Sequence, residues 1–227
     1  MPRTPDETAV DAAACVAAGA TMLHLHAFDA DGRETLDEGP VTRTLRAVRA
    51  RCPGVPITMT TFAAIEPDPA RRFATFAAWS ELPDLVPANQ GEARIVELAA
   101  LLADRGVGIE ACLLSVQDAE TFVARGEWQL FERVVIEALD PDPADALAHA
   151  AAMEQAVTDA GVSLEQVHHG VGSATWDVCR RAAARGHGIR TGIEDTHVLP
   201  DGRFARGNVD LVAAASALWT GSLGTED

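Results

Sequence analysis

Hydrophobic and polar positions follow two alternating periods along this chain. Short apolar, β-branched runs recur between longer Ala/Leu/Arg-rich stretches that repeat at helical spacing. The pattern predicts a helix over 5–18, with Thr4 as N-cap and Pro5 at its first position, then a strand over 21–28. Helix 41–51 leads to strand 55–62, and helix 69–79 to a short strand near 84–89. Helix 92–104 leads to strand 107–114, and helix 116–125 to strand 133–139. Helix 142–160 feeds strand 165–171, helix 173–185 feeds strand 188–195, and a last helix covers 208–219. Strands that alternate with helices in this way form parallel βαβ units. Eight helices and seven strands favour a closed TIM-type (β/α)8 barrel over an open sheet, and no G-x-G-x-x-G follows a first strand. The element missing from the count is a strand before helix 5–18. No linker or charge run marks a boundary, so residues 1–227 are expected to form a single domain.

Composition narrows the chemistry. The chain has no lysine, its 18 basic residues being all Arg. Schiff-base aldolases, pyridoxal-phosphate enzymes and P-loops each need a lysine, so all three are excluded. The net charge of −16 argues against nucleic-acid partners. No apolar stretch is long enough for a membrane span, and the first ten residues lack a signal-peptide core, so a cytoplasmic protein is expected. The cysteines Cys15, Cys52, Cys112 and Cys179 are widely separated, which suggests neither a zinc knuckle nor a disulfide framework.

In such barrels the working residues sit at the C-terminal ends of the strands. His24 and His26 lie two apart on one strand, so both point to the same face and could share a metal. The plainer reading is a satisfied pair of strand histidines. In 188–195, Arg190, Gly192 and Glu194 are expected on one face, with Asp195 beginning the loop. Glu194 would complete a two-His, one-carboxylate set suited to Zn²⁺. The same charged residues could instead form a structural ion-pair network. Thr58, Thr60 and Thr61 end the 55–62 strand, where β-branched residues are ordinary. Glu110 sits in an apolar run, where an unpaired carboxylate is expensive. Gly170, Gly172 and Ser173 open a helix after strand 165–171, a pattern that fits either a phosphate cradle or a tight turn.

The segment A-G-A-T-M-L-H-L-H-A-F-D-A-D-G-R (18–33) resembles the A-G-A-x-x-x-H-x-H-x-R-x-x-x-G-R segment of the β-keto acid cleavage enzymes. G-H-G-I-R-T-G-I-E-D-T (186–196), P-D-G-R (200–203) and the residues from Gly207 to Val212 resemble that family's C-terminal signature. The resemblance implies a TIM barrel binding Zn²⁺ through His24, His26 and Glu194. It implies an enzyme that condenses a β-keto acid with acetyl-CoA to give acetoacetate and a new acyl-CoA. Arg190 and Asp195 would be the acid/base pair, Thr60 would contact substrate, and Glu110 matches a family glutamate. The chain departs from the pattern in lacking the family's first strand with its acidic residue. Ala27-Phe28 stand where relatives carry Arg, and Ala-Cys-Leu-Leu follows Glu110. An amidohydrolase-type hydrolase and a non-catalytic ligand-binding barrel are the alternatives. The first lacks further metal histidines on 107–114 and 133–139. A barrel short of one strand exposes parallel edges, so a homo-oligomer is expected, with a neighbouring subunit covering them.

Overall fold

The computed structural model describes residues 1–223. The chain divides into two compact units, Met1–Glu110 and Ala111–Asp227, and the boundary falls inside a strand.

The first unit begins with helix α1 (Pro5–Ala17). Its start is dictated by a reciprocal capping box: the Glu7 amide donates to Thr4 Oγ1, and the Thr4 amide donates to Glu7 Oε2. Strand β1 (Leu23–Leu25) follows, then a small antiparallel ribbon of β2 (Ala27–Phe28) and β3 (Glu34–Thr35). Helix α2 (Glu38–Arg51), strand β4 (Ile57–Met59), helix α3 (Pro69–Ala78), strand β5 (Leu85–Asn89) and helix α4 (Ile95–Ala103) continue the alternation. Strand β6 (Gly108–Leu113) crosses into the second unit. The strand order is β1-β4-β5-β6, with β1–β4 and β4–β5 parallel. Every residue of β4 and β6 is buried, as expected where both faces of a parallel sheet are covered.

The second unit holds α5 (Val116–Arg125), β7 (Arg133–Ala138), α6 (Pro143–Asp159), β8 (Glu165–Gly170), α7 (Thr175–Ala184), β9 (Gly188–Ile189) and α8 (Asn208–Leu223). Its order is β6-β7-β8-β9, with β7–β8 and β8–β9 parallel. A shared device starts several helices. Thr4-Pro5, Asp68-Pro69 and Asp142-Pro143 each put a capping oxygen before a proline whose missing N–H costs nothing there. Trp176, Cys179, Leu211 and Ala215 form a buried cluster against which Ile189, Ile193 and Leu199 pack. That cluster holds the long segment between β9 and α8.

Three strands are much shorter than the sequence predicts, the 55–62 run being strand only over Ile57–Met59. The 21–28 run breaks at His26, because Ala27 and Phe28 leave the parallel ladder to pair with Glu34 and Thr35. The 188–195 run is strand only over Gly188–Ile189. From there the chain turns: the Asp195 and Thr196 amides both donate to the Gly192 carbonyl, and the Asn208 side chain accepts from the Ile193 amide. The expected one-face alternation of Arg190, Gly192 and Glu194 is therefore replaced by a turn.

Candidate active site

His24 lies on β1 and His26 immediately after it. Their Nε2 atoms are 3.2 Å apart and their rings meet edge-on at 73°. His26 Nδ1 lies 3.3 Å from Glu34 Oε1 on β3, so the ribbon that interrupts the strand also brings a carboxylate behind one imidazole. Zn–N bonds of about 2.0–2.1 Å at tetrahedral angles would set two ligand nitrogens roughly 3.3 Å apart. The pair meets that requirement as it stands.

Thr60 is the first residue past β4, and Thr61 follows; both are buried. Thr61 Oγ1 donates to the Pro87 carbonyl, and Thr60 Oγ1 accepts from the Phe62 amide. Thr58 Oγ1 donates to Glu110 Oε2 at 2.6 Å, with both residues buried. The Glu110 carboxylate thus has a hydroxyl partner on the neighbouring part of the sheet. Glu92 fixes the loop beyond these threonines. Its carboxylate takes Arg72 Nη1 at 2.6 Å, the Asn89 side chain at 2.9 Å and the Ala63 amide at 3.0 Å.

In the second unit, Arg190 Nη2 donates to Glu194 Oε2 at 2.7 Å across the turn. Asp195 is buried, and its Oδ1 lies 3.0 Å from His169 Nδ1. The hydrogen bond to the Asp195 carboxylate comes from His169, and Arg190, the residue paired with Asp195 by the family resemblance, interacts with it through charge. On the far side of the same ring, Glu137 Oε2 lies 3.4 Å from His169 Nε2. Burial and Arg190 pull the His169 pKa down, but Asp195 and Glu137 overrule them and hold it up at about 9. Burial also opposes the Arg190 cation, yet Asp195, Glu194 and Glu137 raise its pKa. Burial pushes Glu137 up, and His169 more than offsets it, leaving the carboxyl below its ordinary value.

Glu137 and His169 were not singled out as site residues by their sequence. The signal existed for Glu137: a lone acid in the apolar run RVVIEAL is the same anomaly that marked Glu110. His169 directly precedes Gly170 at the end of β8, and no spacing in the sequence marks it. In the turn that follows, the Gly172 amide donates to the Asp195 carbonyl at 2.8 Å, and Ser173 Oγ donates to the Pro141 carbonyl at 2.8 Å. At Gly170 a Cβ would stand 2.9 Å from Val178 Cγ2, so glycine there permits the close approach of α7 to β8. These contacts are those of a packing turn.

A second group of ligand types, Glu154, His168 and His187, brings its atoms within 4.8 Å of one another. Its chemistry is different. Glu154 already meets Arg181 at 2.6 Å, Arg185 at 2.5 Å and His187 Nε2 at 3.1 Å. A dication there would sit against two guanidiniums, so the group is an ion-pair knot. The four cysteines are buried and free, and burial pushes the Cys15 and Cys179 thiols up to about 12. No helix among the described residues is long and apolar enough to cross a membrane.

Comparison with known proteins agrees with this layout. A ternary complex of ObcA with a C4-CoA adduct and oxalate superposes with a TM-score of 0.79 at 14% identity, over 97% of this chain and 64% of that one. The 3-dehydroquinate dehydratase of Geobacillus kaustophilus HTA426 superposes at 0.64 and 15% identity, over all of this chain and 90% of that one. The shared fold is the TIM-type (β/α) barrel. A 3-keto-5-aminohexanoate cleavage enzyme from Fusobacterium nucleatum subsp. nucleatum is 35% identical over 65 residues, which are 29% of this chain and 24% of that relative. The chain thus spans less than two thirds of ObcA, and its match to the Fusobacterium enzyme covers about a quarter of that relative. The family described as beta-keto acid cleavage enzyme matches residues 1–224, and the chain belongs to it.

Proposed function

We propose that this protein condenses a β-keto acid with acetyl-CoA and cleaves the product to acetoacetate and a new acyl-CoA, using zinc held by His24, His26 and Glu194. The observation that carries the reading is the convergence of two imidazole Nε2 atoms at 3.2 Å. Family membership supports it, as does the C4-CoA adduct and oxalate held by ObcA. The absence of lysine removes the Schiff-base route to the same bond cleavage.

When bound, the zinc polarises the keto and carboxylate oxygens of the substrate and makes the carbon between them more acidic. Asp195 takes a proton from that carbon. Arg190 holds the Glu194 carboxylate, and the Glu34 carboxylate stands 3.3 Å behind the His26 ring, where its charge favours a proton on Nδ1 and the lone pair on Nε2. Thr60 contacts the substrate, and Glu110, braced by Thr58, is a further polar group of the site. A carbon–carbon bond then forms to the acetyl carbon, and the CoA thiolate moves to the former ketone carbon. Cleavage of the bond between that carbon and the first-deprotonated carbon leaves the acetoacetate enolate, which takes the proton back from Asp195. The Gly170–Ser173 turn enters this scheme as packing that fixes Asp195 through the Gly172 amide.

The test is acetyl-CoA labelled at its carbonyl carbon, incubated with a panel of β-keto acids. Label in acetoacetate supports the reading. Substrate hydrolysis that ignores acetyl-CoA points to the amidohydrolase alternative, and binding without product to a non-catalytic barrel. Asp195→Asn is expected to lower turnover by about 10²–10⁴-fold while the zinc stays, since the base is lost and the ligands remain. An Asp195→Asn protein that keeps its zinc and its turnover refutes the assignment.

We also propose that the protein works in the cytoplasm, as one barrel domain in a homo-oligomer. Among the described residues, strands β1 and β9 each pair on one side in their units, and such edges invite a neighbouring copy. Sedimentation at micromolar concentration should show more than one chain per particle. A monomer with full zinc occupancy would overturn it.

A further inference from the structure

We propose that His169 is the positioning residue of the acid–base centre, an imidazolium hydrogen-bonded through Nδ1 to Asp195 and paired by charge with Glu137 beyond Nε2. The inference rests on the reading of Asp195 as the base.

The geometry begins on two neighbouring strands. Glu137 on β7 and His169 on β8 are register partners in a parallel ladder, so their side chains leave the sheet on one face. Asp195 is brought to the same ring from elsewhere in the chain. The turn at Gly192 carries it there, and its carbonyl is tied to the Gly172 amide two residues past β8. The His169 side chain is 2% exposed, that of Asp195 3% and that of Glu137 15%. Two carboxylates gathered this closely out of water repel one another unless a cation stands between them. His169 supplies that cation, with Nδ1 toward Asp195 at 3.0 Å and Nε2 toward Glu137 at 3.4 Å. Arg190 is the other charged group acting on the ring, and it bears on His169 as a like charge.

This arrangement decides which role the histidine can take. A protonated nitrogen has no lone pair to offer; here Nδ1 donates to Asp195, and Nε2 lies 3.4 Å from the Glu137 carboxylate, whose charge favours the protonated ring. His169 is therefore not the base. Its effect is to occupy Asp195 Oδ1, so that the other oxygen, Oδ2, is the one left to accept a proton. Glu137, the more exposed carboxylate, stands behind the ring as its second counter-charge.

Two measurements separate this from the functional reading. The first needs no substrate: ¹⁵N spectra of the histidine side chains at about pH 8, above the ordinary histidine range. Wild type should show one ring, assigned by its loss in His169→Asn, with both nitrogens protonated. Asp195→Asn and Glu137→Gln should each return that ring to the neutral form. A neutral His169 in wild type overturns the imidazolium pairing, whatever the enzyme's activity. The second is the kcat/KM split. His169→Leu should lower kcat by about 10²-fold, the cost of a misplaced catalytic group, with KM nearly unchanged. His169→Asn keeps a donor toward Asp195 and should recover at least a tenth of the wild-type rate. Equal kcat in wild type and in folded His169→Asn and His169→Leu proteins overturns the positioning role. Absence of turnover in wild type refutes the functional reading and, with it, the positioning role; an imidazolium signal would then leave the pairing as structure alone.

Discussion

Replacing His24 and His26 together by Ala is expected to strip the metal from the purified protein and take turnover to background. Each imidazole supplies one donor, and the two Nε2 atoms already stand 3.2 Å apart, close to the roughly 3.3 Å that a tetrahedral zinc requires. One carboxylate cannot hold zinc against dialysis once both nitrogens are gone. Single replacements should behave nearly as badly, because a catalytic zinc has three protein ligands and needs its fourth position for substrate. Glu34→Gln is the graded control. It leaves both ligands but removes the charge 3.3 Å from His26 Nδ1, and metal affinity should fall by about 10-fold, the lower end for such partners. Metal content after dialysis, with unfolding midpoints to establish that the variants fold, reads all of these. Full zinc retention in the double variant would mean that the pair is merely two strand histidines.

The sequence already carried the alternation of strands and helices. Periodicity and capping act locally, and the T-P and D-P starts are written in adjacent residues. The H-x-H pair was legible for the same reason, since two residues on a strand share a face whatever surrounds them. What failed was the assumption that an apolar run is strand to its end. After Ile189 the backbone is captured by Gly192 and by Asn208, which lies 16 residues beyond Gly192. No local pattern announces such a capture. The partner of Asp195 was hidden for a similar reason. Arg190 is near in sequence, but the turn sends its guanidinium to Glu194, and His169 reaches Asp195 from 26 residues away.

The largest effect on stability is expected at Glu154, which no motif identifies. Its side chain is 3% exposed and is the common acceptor of Arg181, Arg185 and His187. Removing one partner of a buried ion pair strands the others, at a cost of about 3–5 kcal/mol. Arg185 is half exposed and can turn to water, so Glu154→Ala should fall near the lower end, about 3 kcal/mol. The same region sets an acid limit. Burial raises the Glu154 pKa, but Arg185, His187 and Arg181 overrule it and hold it at about 2. Its contribution is present above the ordinary 4.5 and is lost as pH falls from there toward 2. His168, on the opposite face of β8 from His169, is pushed down to about 3 by burial, then by His187, Arg181 and Arg185. It folds neutral, so stability begins to fall once pH drops below the ordinary 6.5. His169 has the opposite sign. With its pKa held at about 9, its contribution is complete below 6.5 and is lost as pH rises from 6.5 through 9. Two adjacent histidines thus pull the stability profile down on either side of about pH 6.5, with limiting slopes of about 1.4 kcal/mol per pH unit each. Urea unfolding across pH measures this. His168→Gln should flatten the acid side between 4.5 and 6.5, and His169→Gln the alkaline side. A wild-type stability that is level from about pH 5 to 8 would show that neither histidine folds in the protonation state its surroundings dictate.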